Sequence, residues 1–247
     1  MTLRLCVWSG PRNVSTALMY SFAQRADARV VDEPLYAHYL RVTGLEHPGR
    51  EQVLASQDQD GDRVVRELVL GSWDRPVVFF KMMAHHLVGI DRSFLPQIES
   101  VLLLRDPTQM LVSLSKVIRS PRLEDTGLPE QAQIFAALSA AGREPPVLDS
   151  REILLDPRGV LSQLCQRLGI GFDPRMLAWP AGPRPEDGVW ARHWYGQVHR
   201  STGFEPWTAR TEPLPASLRP LHAQCRPLYE RLVERAIRAR PAVQERS

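Results

Sequence analysis

No apolar run in this 247-residue sequence approaches the roughly 18 residues needed to cross a bilayer, so no membrane partner is expected. A leader of the secretory type is not expected either, because a strand-like segment, Leu3 to Trp8, begins almost at once. A cytoplasmic location is the expectation that follows. Cysteine is scarce: Cys6, Cys165 and Cys225 lie far apart in apolar contexts, which fits reduced core residues better than a disulfide framework. No Cys/His cluster has zinc spacing, and no metal site is expected. Lysine is scarcer still. Of 31 basic residues only Lys81 and Lys116 are lysines. A GC-rich genome favours arginine wherever either cation serves, so a surviving lysine can mark a need for a compact, rotatable, titratable ammonium. The net charge of +3 is small and the basic residues are scattered rather than striped, so no nucleic-acid partner is expected. Nothing in the sequence specifies an oligomeric state.

What is present is ordinary in composition, with 43% apolar and 24% charged residues, and long enough for one α/β domain over residues 1–247. Short apolar stretches at Leu3–Trp8, Ala28–Val31, Pro76–Lys81 and Ser100–Leu104 read as buried parallel strands. Each is followed by a polar break and then a helical stretch. The alternation predicts a mostly parallel sheet with helices on both faces, a three-layer arrangement. The spacing of Val14, Leu18, Met19 and Phe22 predicts a helix over 14–24, and Val64–Ser72 is expected to be helical. Residues 41–63 read as an irregular or helical excursion. Asp106-Pro107, Asp156-Pro157 and Asp173-Pro174 each combine an N-cap carboxylate with proline at the first helical position. Gly169 is expected to end the helix that Pro157 opens. Residues 180–215, rich in Pro, Gly, Arg and Trp, read as a covering segment, and 218–238 as a last helix interrupted by Pro220 and Pro227.

The first break carries chemistry. Gly10, Pro11, Arg12, Asn13 and Val14 join a buried strand to a helix opening at Ser15 and Thr16. Orphan amides of a first helical turn, the helix dipole, a permanent cation at Arg12 and two hydroxyls together suit an anion, phosphate above all. Helix capping and a glycine turn would account for the same residues without a ligand. An ATP-binding loop of the Gly-x4-Gly-Lys-Ser/Thr kind is not present. The positions where glycine, lysine and the magnesium-binding hydroxyl belong hold Ser15, Thr16 and Ala17.

Three separated pieces resemble the sulfotransferase superfamily, whose members use 3′-phosphoadenosine-5′-phosphosulfate (PAPS). Ser9 to Thr16 resembles the family's loop for the 5′-phosphosulfate, with Arg12 where lysine or arginine is usual. Val101-Leu102-Leu103-Leu104-Arg105-Asp106-Pro107, with Ser113 eight residues after Arg105, resembles the element that holds the 3′-phosphate. Gly188 to Trp194 looks like the covering segment over the nucleotide, from which Arg184 or Arg192 is expected to reach the same phosphate. Gly-Pro-Arg-Asn-x-Ser-Thr with Ala84-His85-His86 resembles a bacterial sulfotransferase-like branch. The resemblance implies a P-loop-like fold, PAPS as donor, no metal, and transfer to a hydroxyl or amine of a small-molecule acceptor.

Sulfuryl transfer builds charge on the bridging oxygen of the leaving nucleotide, so fixed cations should carry most of the catalysis. Arg12 and Lys81 are the candidates, Lys81 because it ends a buried strand where doubly wound sheets bind ligands. For the base that takes the acceptor's proton, many family members have a histidine two residues after the comparable lysine. Met83 stands there instead. His86 is favoured, with His85 and Glu33 as rivals. Tyr36, His38, Tyr39, Trp73, Trp179 and Trp194 are candidate linings of an acceptor pocket. Two other functions remain open from sequence: an ATP-dependent small-molecule kinase on the same architecture, and a non-enzymatic nucleotide-binding protein.

Overall fold

In a computed structural model of the chain, residues 2–209 and 212–240 are described. Five strands, β1 (Leu3–Ser9), β2 (Ala28–Asp32), β3 (Val77–Met83), β4 (Glu99–Leu104) and β5 (Val147–Asp149), form one sheet in the order β2-β3-β1-β4-β5. Every pairing is parallel. Four of these strands match the apolar stretches within one or two residues. β5 is three residues long, too short to carry a pattern of its own beside the preceding prolines.

The strands are apolar throughout because both faces are covered. Along β1, Cys6 and Trp8 enter one core, while Leu5 and Val7 enter the other. Val78, Phe80 and Met82 of β3 join the first, and Val77 and Phe79 the second. Over the first face lie α5 (Pro107–Leu114), α6 (Leu128–Ala140) and α10 (Arg219–Val233), through Leu111, Ile134 and Leu232 among others. Over the second lie α1 (Ser15–Ala23), α7 (Ser150–Leu155) and α8 (Pro157–Arg167), through Phe22, Ile153 and Leu164. Burying one such side chain contributes about 1.5–3 kcal/mol. Three layers result.

The capping devices act as the sequence implies. Asp106 Oδ1 accepts from the Gln109 amide at 3.1 Å, and Asp156 Oδ1 from the Gly159 amide at 2.8 Å. Gly169, at φ 68°, takes the chain out of α8 in the left-handed region that glycine tolerates. The excursion before β3 contains α2 (Tyr36–Thr43), α3 (Arg50–Ser56) and α4 (Gly61–Val64). The helix expected over 64–72 is instead a π-helical turn, Val65–Val69, continuing α4. The covering segment holds α9 (Ala191–Trp194) and packs Trp190, Ala191 and Tyr195 on Tyr36, Tyr39 and Leu40 of α2 in a third, smaller cluster.

Two features of topology fix the site. Helix α1 leaves β1 toward one face and α5 leaves the adjacent β4 toward the other, opening a crevice between the carboxyl ends of these strands. The parallel register then aligns Asp32 of β2 with Lys81 of β3, so the two side chains reach the same edge of the sheet.

Candidate active site

The loop between β1 and α1 is held from three sides. Gly10 lies so close to the next layer that a Cβ there would stand 2.4 Å from the Thr126 carbonyl oxygen. Arg12 takes a left-handed φ of 58°, uncommon for a residue with a side chain and found where surrounding structure enforces it. Asn13 Oδ1 accepts from the Ser15 amide at 3.0 Å. No side chain caps α1 at Val14, so the first-turn amides of Thr16 and Ala17 have no intrahelical acceptor.

Thr16 and Ala17 border a cleft of about 610 Å³. Arg12, Arg105, Lys116 and Arg151 bring four cationic side chains to its walls, and Asn13, Thr16 and Ser113 add polar groups. The two sequence pieces expected to bind separate phosphates touch each other. Arg12 Nε donates to Ser113 Oγ at 3.1 Å, and Arg105 Nη1 donates to the Arg12 carbonyl. The covering segment closes the far side with Trp194, Tyr195, Gln197 and Phe204, and the Arg151 guanidinium lies 5.1 Å from the Trp207 ring.

A second, smaller cavity of about 150 Å³ adjoins the first. Gly10, Pro11, Glu33, Lys81, His85 and His86 line it, with Tyr36, Tyr39 and Leu114. A volume of this order holds a benzene-sized group. Arg12, Asn13, Thr16, Trp194 and Tyr195 border both spaces, so the loop is the wall they share.

At the inner end of the small cavity Lys81, 1% exposed, spends its three N–H bonds on three acceptors. These are Asp32 Oδ1 at 3.0 Å, Glu33 Oε1, and the Tyr195 hydroxyl at 2.7 Å. Burial alone would favour the neutral amine, but the Asp32 and Glu33 carboxylates outweigh it and hold the ammonium above its ordinary value. Glu33 is pushed up, chiefly by burial; Lys81 opposes this and the Asp32 charge adds to it. Its φ of 38° is the second left-handed value at a non-glycine residue.

The histidines differ. His86 is stacked on Tyr39 at 4.5 Å and on Tyr36 at 4.9 Å between ring centroids. Burial first, then His85 and His47, push it well below the ordinary histidine range. His85 is pushed down to about 3, mainly by burial. The Nδ1 atoms of both are buried with no hydrogen-bond partner.

The remaining expected residues separate. Tyr36, Tyr39 and Trp194 line the small cavity. His38 bridges the Val88 carbonyl and the Gly61 amide, while Trp73 packs against Phe80 and Trp179 against Tyr20. Arg184 and Arg192 border neither space: Arg184 Nη2 donates to the Pro180 carbonyl and its guanidinium covers the Tyr20 ring, while Arg192 pairs with Gln52. The reason is the turn of α9, which presents Trp194 and Tyr195 to the clefts in place of Arg192. Sequence reasoning missed Asp32, Tyr195, Arg151 and Trp207. For Asp32 a signal existed, a carboxylate at the end of a strand; Tyr195 and Trp207 sit in a segment with no period, and Arg151 lies at the start of a six-residue helix after a strand of three.

Comparison with known proteins gives the family and the fold. The family model described as a sulfotransferase domain matches residues 3–236. Two Arabidopsis thaliana proteins named branched-chain-amino-acid aminotransferase-like proteins 1 and 2 are 43% and 40% identical over 198 residues, 80% of this chain. The chain spans only 36% and 35% of their lengths. Among solved structures, the sulfotransferase domain of the Synechococcus PCC 7002 olefin synthase superposes with a TM-score of 0.55 at 17% identity, covering 89% of this chain and 93% of that one. A sulfotransferase from Alicyclobacillus acidocaldarius gives 0.51 at 18% identity, covering 95% of each. These two structures share the fold.

Proposed function

The chain belongs to the sulfotransferase domain family, and from that premise we propose that it moves a sulfuryl group from PAPS to a hydroxyl or amine of a small-molecule acceptor. The observation that carries the proposal is the shared wall. A cleft roomy enough for a nucleotide and a cavity suited to a ring-sized group meet at Arg12, Asn13 and Thr16. In this reading the donor's phosphates lie against the Thr16 and Ala17 amides, Arg12 and Arg105, with the sulfur facing the small cavity. The acceptor oxygen or nitrogen forms a bond to sulfur as the bond from sulfur to the 5′-phosphate oxygen breaks. Arg12 and Lys81 stabilise the charge that builds on that oxygen, 3′,5′-adenosine bisphosphate leaves, and the acceptor's proton passes to a base.

For the base, the sequence favours His86, whereas the surroundings of the three candidates favour Glu33. Proton affinity should lie near the working pH. Burial takes both imidazoles far below it and brings the Glu33 carboxylate upward toward it.

Incubation with sulfur-labelled PAPS and a panel of small phenols, alcohols and amines tests the proposal. Label is expected in at least one acceptor with EDTA present, falling sharply in Arg105→Ala. Transfer from labelled ATP with magnesium, and none from PAPS, would support a kinase instead.

A further inference from the structure

We infer that Tyr195 is a positioning residue for Lys81, fixing the ammonium at the carboxyl end of β3 only while the 188–195 stretch of the covering segment is seated. The inference rests on the proposed role of Lys81. The Tyr195 hydroxyl is saturated. It accepts from Lys81 Nζ at 2.7 Å and from Trp190 Nε1 at 3.1 Å, and donates to the Asp32 carboxylate at 2.8 Å. The Gly188 amide donates to Asp32 Oδ2 at 3.1 Å. The covering segment is thus tied twice to the strand end that also holds the lysine, and each of Tyr195, Trp190, Lys81 and Asp32 is buried.

The three acceptors on Lys81 are not equal. Asp32 and Glu33 add the attraction of opposite charges to their bonds with the ammonium, which a neutral hydroxyl lacks. Two carboxylates keep the ammonium at the strand end; Tyr195 takes the third N–H and so sets the direction in which it points. That N–H is the one a substrate oxygen can claim at least cost, and Tyr195 borders both the cleft and the small cavity. A lysine bound by carboxylates alone would have no link to the segment that covers the donor.

The scarcity of lysine makes the test direct. With labelled lysine the protein gives two side-chain ammonium signals, Lys81 and the exposed Lys116, which pairs with Glu212 and serves as an internal control. In Tyr195→Phe, hydrogen exchange at the Lys81 ammonium is expected to quicken by about 10- to 100-fold, the worth of a hydrogen bond to a charged group, with Lys116 unchanged. Tryptic cleavage after Arg192 and Arg200 should quicken with it. An unmoved Lys81 signal in the folded variant overturns the inference. If the variant does not fold, the wild-type protein decides. Lys81 Nζ lies 5.0 Å from the Tyr195 ring centroid, so a nuclear Overhauser effect between the Lys81 side chain and that ring is expected, and its absence overturns the inference. Failure of the wild type to bind 3′,5′-adenosine bisphosphate would sink the functional reading alone.

Discussion

Arg12 Nε donates to Ser113 Oγ at 3.1 Å, joining the loop after β1 to the second turn of α5 across 101 residues of sequence. Arg105 completes the junction by donating to the Arg12 carbonyl. One guanidinium, one hydroxyl and the carbonyl-bound Arg105 therefore border a single cleft, so phosphates at the two ends of a nucleotide would meet one connected set of donors. Arg105→Ala is expected to weaken binding of 3′,5′-adenosine bisphosphate by about 10- to 100-fold, matching loss of a charge-assisted hydrogen bond. Arg192→Ala, at an exposed side chain turned toward Gln52, is expected to change it by less than about twofold. Calorimetric titration of both variants checks the pair.

Gly10 tests whether the loop must sit where it does. An alanine methyl there meets the Thr126 backbone oxygen at 2.4 Å, and neither backbone can yield without moving a layer. Overpacking of this kind costs about 1–3 kcal/mol. Gly10→Ala should lower the thermal midpoint and weaken nucleotide binding together. A variant with unchanged melting would refute this packing.

Removing the buried cation has a signed consequence. In Lys81→Met the Asp32 and Glu33 carboxylates remain buried without their partner, a loss of about 3–5 kcal/mol at neutral pH. Glu33 already sits above its ordinary value with Lys81 present, and without the ammonium it moves higher. A carboxyl raised in the folded state favours folding below its unfolded value and loses that contribution as pH rises through the folded one. Melting of Lys81→Met relative to wild type should therefore improve as pH falls from 7 toward 5. A gap that does not narrow contradicts the ion triad.

The base leaves its mark in the pH profile of transfer. With Glu33 as acceptor of the proton, the rate falls on the acid side through the raised Glu33 value, and Glu33→Gln lowers kcat by about 10²- to 10⁴-fold. His86→Gln should cost less. The reverse ranking would return the role to His86.

The sheet was readable because buried parallel strands are apolar on both faces, which leaves runs such as Val78-Phe79-Phe80 with no polar interruption. β5 escaped because three residues carry no period. At the site, the loop residues and Arg105 with Ser113 could be found from local spacing, since each piece is set by one strand-to-helix junction. The partners of Lys81 could not. Asp32 meets it through strand register and Tyr195 through a fold-back of 114 residues, neither of which leaves a periodic trace. Arg192 lies outside both cavities for the same reason: its cation suggests the cleft, but the turn of α9 decides which side chains face it.

In the proposed function the wall bordered by Arg12, Thr16 and Arg105 holds a nucleotide phosphorylated at both the 3′ and 5′ positions. Calorimetry of adenosine 5′-phosphate, ADP, ATP and 3′,5′-adenosine bisphosphate, each with EDTA, tests it most directly. The 3′-phosphorylated nucleotide is expected to bind at least about tenfold more tightly than the others, one phosphate contact contributing about 1.5–3 kcal/mol. Equal affinities, or a preference for ATP that needs magnesium, would contradict it.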